Sequence, residues 1–402
     1  MNVKLIVDVG AGKGYITQTL EHYYGMEVIG LEGQESRTHG ASKRSIQFQK
    51  ELFLNENRKL QKSKKPSKSL EQFDPKPLFN MTFFINKPPD VKHFLDLIDP
   101  IKSKILEYHK KGTESISKDE LDKMGLLCLH GCGDLSPAVL ELYVECPQFQ
   151  SMVCVGCCYP RIKEEQDSEK CYSKSFPMSE TIKTMFAQNP KINRKFLQGV
   201  LSRANETPNQ FINLSQQELT NKSRLLWRSM LELILSEKFG YNNSHPALQQ
   251  HPNEHTIPTT ADIDYYPKED HWTYTIRGLP TQSFESFESY CEHAIPSIRV
   301  IGKSGQWYLP HLFFGEGLYN EVTETSILNQ LKALYTQHQD LDLSLILYLS
   351  LQNCLSGVCE SLVMMDRYFY LEEKGNKMVN LIVPVFHQQT SPRNLAIISY
   401  KN

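Results

Sequence analysis

The chain has 402 residues, 40% of them hydrophobic, enough for one large domain or two to three ordinary ones. Its 44 basic and 46 acidic residues leave a net charge of -2, which excludes a global electrostatic drive toward nucleic acid or an anionic membrane. Ten cysteines, seven of them between Cys128 and Cys171, lack the spacing of a small secreted disulfide framework. The apolar run Val3 to Val9 is too short for a signal peptide. A reducing compartment, cytoplasm or nucleus, is therefore expected, and N-x-S/T triplets such as Asn205-Glu206-Thr207 are chance matches.

In chain order, Lys4 to Val9 reads as a buried strand, followed at once by Gly10, Gly12 and Gly14. Ile16, Leu20 and Tyr23 then fall at helical spacing, and Gly25 closes that helix. Val28 to Leu31 is a second strand ending at Glu32-Gly33, so the first thirty residues carry a βαβ signature. From Ser42 to about Lys123 the chain is polar and broken by prolines, and its basic run Arg58 to Lys68 reads as a solvated loop. Pieces such as Phe79 to Ile85 and Val91 to Leu97 are expected to dock locally on the core. Order resumes with a strand at Leu126 to Leu129, then His130-Gly131-Cys132-Gly133-Asp134, with Ser136 and Pro137 suited to open a helix. Met152 to Val155 is the next strand. Helical signals run from Ser179 to Gly240, with Ser215-Gln216-Gln217-Glu218 as a capping box, and Tyr241 to Pro280 reads as loop.

Leu343 to Glu373 is a long apolar helical pattern. Its part Leu341 to Val358 carries Ser344, Ser350, Gln352 and Asn353, and is expected as a buried helix rather than a membrane span. Strand candidates follow at Val379 to Phe386 and Leu395 to Tyr400. The expected organisation is an α/β domain interrupted twice. Parts of the domain lie at 1–45, 123–165 and 341–402, separated by a polar insert at 46–122 and a mainly helical insert at 166–340.

Three nucleotide-binding loops compete for Asp8-Val9-Gly10-Ala11-Gly12-Lys13-Gly14-Tyr15. A dinucleotide fingerprint needs G-x-G-x-x-G, and Tyr15 occupies its last glycine. A triphosphate loop needs Ser or Thr after its lysine, where Gly14 stands. D-x-G-x-G-x-G fits. Such a loop suits a ligand without phosphates: glycines admit an adenosine with a methionine tail, and the helix after Gly14 offers free N–H groups to its carboxylate. Glu32, at the end of the second strand, can accept both ribose hydroxyls.

The blocks VDVGAGKGY, VIGLEGQESRTHGASKR, LHGCGDLSP, VGCCY, FPMS, MMDRYFYLEE and SPRNLAIISYKN together resemble the methyltransferase-like 25 family, some of whose members are labelled ribosomal RNA adenine dimethylase domain-containing. The resemblance implies a class I, Rossmann-like methyltransferase fold: a doubly wound, mostly parallel seven-stranded sheet with an antiparallel strand near one edge. It also implies S-adenosyl-L-methionine as cofactor. Carried over, Asp8, Gly10, Ala11, Gly12 and Gly14 form the cofactor loop and Glu32 the ribose acid, a conservative departure from the usual Asp. LHGCGDL stands for the family's L-H-[TA]-C-G-D-L, and Gly131 is expected to leave space beside an adenine or substrate pocket. Family members carry a helical segment upstream of the first strand, so part of the site is expected to be open to water here.

Methyl transfer needs orientation first, and a base only if the acceptor must lose a proton. Candidate catalytic residues are His130, Asp134 and Tyr159, where strand ends converge. Cys154, Cys157 and Cys158 read as small buried hydrophobes. No metal is expected from Cys128, His130, Cys132, Cys154, Cys157 and Cys158, because C-x-x-C occurs once, inside a strand and without a partner knuckle. The tetrapeptide of adenine amino-methylases is replaced here by His-Gly-Cys-Gly-Asp. The L-H-x-C-G and C-C-Y pair is similar, at motif size, to a tRNA ribose methyltransferase family. A macromolecular methyl acceptor is expected, RNA ahead of protein; the alternative is an inactive scaffold that keeps the fold.

Overall fold

Short apolar runs alternating with amphipathic helices build a sheet covered on both faces. The computed structural model describes residues 3–62, 73–85, 88–110, 116–162, 173, 175–189, 191–205, 216–239, 272–276, 278–302, 307–314, 319–338, 340–375, 377–387, 391 and 393–402. The chain runs through β1 (Leu5–Val9), α1 (Tyr15–Tyr24), β2 (Glu27–Glu32), α2 (Glu35–Lys62), β3 (Phe79–Thr82) and α3 (Val91–Lys110). It continues with α4 (Lys118–Leu121), β4 (Met124–Cys132), α5 (Leu135–Glu145), β5 (Phe149–Cys157), α6 (Glu180–Ala187) and α7 (Arg194–Arg203). A second unit holds α8 (Gln216–Phe239), β6 (Trp272–Ile276), α9 (Phe287–Ala294), β7 (Ile298–Gly302), β8 (Trp307–Tyr308), α10 (Pro310–Phe314), α11 (Glu321–Gln337) and α12 (Leu341–Cys354). The first unit then closes with α13 (Ser356–Lys374), β9 (Met378–Pro384) and β10 (Leu395–Lys401).

The seven strands of the first unit lie in the order β3-β2-β1-β4-β5-β10-β9. Five neighbouring strands are parallel, and β10 runs against both β5 and β9. This is the expected class I arrangement. Val7, Ile29, Leu126, Met152 and Ile397 supply the strand side of the core, and Val139, Leu142, Met364 and Leu371 cover it from helices.

The stretch 46–122 is more than a polar insert. It contains most of α2, the edge strand β3 paired with β2, and the whole of α3. Each helix commits only one narrow stripe to the core, such as Phe94, Ile98 and Ile105 of α3, so composition reads as polar while the element is packed. Pro100 lies inside α3 instead of ending it. Lys102, from the same helix, is buried but donates to Asp122 (2.9 Å) and Gln148 (2.6 Å), which satisfies its charge. Of the basic run, Arg58 to Lys62 form the last turn of α2, and 63–68 lie outside the described residues.

The expected helical insert at 166–340 divides differently. Its helices α6 and α7 belong to the first unit, tied there by α13. Buried Asp366 accepts bonds from the Met178 amide (2.8 Å), the Ser179 amide (2.9 Å) and the Ser179 hydroxyl (2.8 Å). Further along the same helix, Glu373 accepts from the amides of Glu180 and Thr181, both at 2.8 Å. Two carboxylates of α13 thereby satisfy the start of α6 and join the FPMS block to the MMDRYFYLEE block.

The second unit, Asn209–Cys354, carries an antiparallel sheet in the order β6-β7-β8, where residue patterning indicates loop and helix. Its strands are short, and a five-residue strand among His and Pro leaves a weak period-2 signal. Trp227, Leu231, Tyr274, Tyr290, Ile298 and Leu331 form its core. Ser215, and with it the capping box, lies outside the described residues. The apolar stretch at 341–358 is not the buried helix expected: Leu343, Leu347 and Leu351, one turn apart on α12, are each more than half exposed. Leu343–Lys374 is long and apolar enough to cross a membrane by length and composition. Its second half is α13, however, and Val363, Met364 and Leu371 of that helix are buried in the first unit.

Candidate active site

The strand order reverses between β1 and β4, and an open parallel sheet leaves its ligand crevice at that point, outside the carboxyl ends. The loop from β1 to α1 lies there. Its amides at Gly10 and Ala11 both donate to the Leu31 carbonyl, at 2.8 and 3.0 Å, which folds the loop over the end of β2. Gly10, Gly12 and Gly14 all have φ between 57° and 74°, a left-handed path that a side chain would oppose. Glu32 reaches back from the end of β2. Its Oε2 accepts from the Gly12 amide at 3.0 Å and its Oε1 from the Gln34 amide at 3.1 Å. Helix α1 begins without a side-chain cap and without an acidic residue in its first turn, so its N-terminal dipole is not neutralised locally.

Asp8 sits under the loop, buried, and accepts from the Thr17 hydroxyl at 2.8 Å. Burial pushes its carboxyl up to about 6 against the pull of that bond, so it is ionised at neutral pH. Leu135, the first residue of α5, packs against Gly10. The structure thus brings Asp8, the glycine loop, Glu32 and the start of α5 into one place. Exposed Tyr15 and Phe84 add an apolar rim, Phe84 standing beside Gly33.

The block from His130 to Asp134 ends β4. His130 is exposed, just where the β4–β5 ladder shifts register between Cys128 and Gly131. Asp134 caps α5 by position only, with no side-chain bond to the helix N-terminus. Ser136 does not cap it either. It is the second residue of α5, fully buried, and its Oγ finds no partner among the described residues. Gly131 is required by this packing. A Cβ there would stand 2.6 Å from Cβ of Ser136, so the missing side chain accommodates α5 rather than opening a pocket.

Tyr159 is not at the crevice. It is 1% exposed, its hydroxyl donates to the Gly156 carbonyl at 3.3 Å, and burial pushes it up to about 12. It packs under the guanidinium of Arg367, 5.0 Å from the ring centroid. Its burial and its retained proton make it a core residue and remove it from the candidate catalytic set. Arg367 and Asp366, both buried on α13, and Thr17 are structural supports that sequence patterning does not single out. The block MMDRYFYLEE contains the first two, but Met178, the partner of Asp366, lies 188 residues away.

The cysteines of β4, β5 and the turn that follows β5 separate into two groups. Cys128 and Cys154 are register partners buried in mid-sheet. Cys132 and Cys157 are partners at the strand ends, with sulfurs 3.2 Å apart, and Cys158 joins them. Hydrogen bonds from Cys132 and Cys157 hold the Cys158 thiol below its usual range, helped by Arg161 and His130, while Cys157 is pushed up.

Residues 1–165, which carry this crevice from β1 through β5, match a family model described as a methyltransferase domain. Match and strand order agree on a class I, Rossmann-like methyltransferase fold. Beyond it, the chain is similar to "Probable methyltransferase-like protein 25" of Mus musculus, at 20% identity over 99% of this chain and 71% of the relative. The Homo sapiens protein of the same description matches equally, with 20% identity and the same two shares. The chain is thus similar to proteins of that description at 20% identity, and the unit that carries the crevice is assembled from Met1–Pro208 and Leu355–Asn402.

Proposed function

We propose that the methyltransferase domain binds S-adenosyl-L-methionine in the crevice between β1 and β4 and methylates a macromolecular acceptor, RNA ahead of protein. The observation that carries this reading is the Glu32 carboxylate, tied to the Gly12 amide beside three left-handed glycines. A carboxylate has about four lone-pair sites, and the two amides use two of them. The remaining two suit the ribose diol. The open N-terminus of α1 suits the methionine carboxylate, and Asp8 with Thr17 keeps the loop in place.

When bound, S-adenosyl-L-methionine supplies a methyl group on a sulfonium for in-line displacement. The chain contributes orientation, worth several kcal/mol when donor and acceptor are aligned, roughly 7–11 in the best small systems. Where the acceptor carries a proton to be lost, His130 and Asp134 are the candidate bases. RNA is favoured by the L-H-x-C-G and C-C-Y blocks, which lie where β4 ends at Cys132 and β5 at Cys157.

The test is incubation of the full chain with methyl-labelled donor and separated RNA and protein fractions, with calorimetry of donor binding alongside. Label in RNA that is lost in Asp8→Ala supports the reading. Label in protein alone would replace the acceptor. A folded chain that neither binds donor nor transfers label would leave the inactive scaffold.

A further inference from the structure

We infer that Cys132, Cys157 and Cys158 form a zinc site with three protein ligands at the carboxyl ends of β4 and β5. Spacing along the chain conceals it, because the ligands come from two separated segments. Cys132 and Cys157 are the last residues of adjacent parallel strands and stand in register, so both side chains project from the same face. Cys158 follows directly and would point to the opposite face if the strand continued. Instead its backbone turns into the left-handed region, φ 51° and ψ 46°, and it is the one such non-glycine residue among the described residues. That turn brings its sulfur to the other two, and all three lie within 4.8 Å of one another.

The geometry suits zinc. With Zn–S bonds of about 2.3 Å, tetrahedral thiolates stand about 3.8 Å apart, between the 3.2 Å of the Cys132–Cys157 pair and the 4.8 Å limit of the cluster. The left-handed path is unfavourable for a non-glycine residue, and the neighbouring turn accompanies it, where the Gly133 amide donates to the Cys157 carbonyl at 3.2 Å. A two-cysteine redox pair would need only Cys132 and Cys157 and gives no reason to turn in a third. Cys157 is buried, while Cys132 and Cys158 are half-buried, so an ion has a route in. His130 is outside the cluster. Three ligands and an open fourth position mark a site that takes a solvent or substrate group, unlike a closed four-cysteine structural site. Zinc binding at these sulfurs is independent of methyl transfer.

The test reads the metal itself. The full chain is purified under reducing conditions without chelator, and its zinc is measured by mass spectrometry and by competition with a chromogenic chelator. About one equivalent is expected, with a thiolate-to-cobalt charge-transfer band after cobalt exchange. Cys132→Ser and Cys158→Gly should each weaken zinc retention by about 100-fold, and exposed Cys354→Ser should not. Cys158→Gly guards against misfolding, since glycine adopts the left-handed path freely. A reduced, folded chain that takes up neither zinc nor cobalt would overturn the inference. So would full retention in Cys158→Gly.

Discussion

Replacing Glu32 by Gln tests the crevice most directly. The carboxylate is buried, and each of its oxygens already accepts one loop amide, from Gly12 at 3.0 Å and Gln34 at 3.1 Å. An amide side chain keeps one carbonyl oxygen and presents an NH2 group to one of those N–H donors, whichever way it sits. The loop therefore loses one charge-assisted bond, about 1.5–3 kcal/mol, in the free and bound protein alike. Binding loses a further share, because each ribose hydroxyl exchanges a charged acceptor for a neutral one or a donor. At roughly 1–1.5 kcal/mol for each hydroxyl, the total of about 2–3 kcal/mol weakens S-adenosyl-L-methionine by about 30- to 200-fold. Calorimetric titration of wild type and Glu32→Gln measures it, with a denaturation midpoint for each to show that the fold is kept. Equal affinity in the two proteins, both folded, would refute the assignment of Glu32.

Buried groups elsewhere make stability depend on pH and on packing. Burial pushes Glu21 up to about 8, far above its unfolded value near 4.5, so its contribution to stability is complete below pH 4.5 and is lost as pH rises toward 8. By pH 7 the loss is on the order of 3 kcal/mol, and Glu21→Gln should be more stable than wild type in denaturant at about pH 7.5 yet similar at about pH 4.5; a difference independent of pH would reject this. Gly131→Ala should cost about 1–3 kcal/mol by crowding Ser136, and Ser136→Gly should recover part of it in the double variant. A Gly131→Ala chain within about 0.5 kcal/mol of wild type would show that α5 yields freely.

The crevice was legible in the sequence because its parts are local. D-x-G-x-G-x-G, the helix after it and Glu32 lie within thirty residues, and backbone chemistry dictates their shape: glycines take the left-handed turns, and the acid ends a strand that must pair beside them. The strands at 126–129, 152–155 and 395–400 were equally readable, since central strands buried on both faces are continuous apolar runs. Residues 46–122 were not. Helices that bury one stripe, and an edge strand of four residues, carry too little apolar signal to stand out from loop.

The glycine loop and the acid beside it were therefore written in the order of residues, because they meet over short separations, while the seven-stranded sheet, which joins β1 to β4 and β5 to β10, was expected from the family resemblance. Groups that meet across long separations were not. Packing buried Tyr159 under Arg367, set Asp366 against Met178 and Ser179, filled the space at Gly131 with Ser136, and turned Cys158 toward Cys132 and Cys157. Strand register and helix packing fix such meetings, and neither can be read from the spacing of residues along one segment.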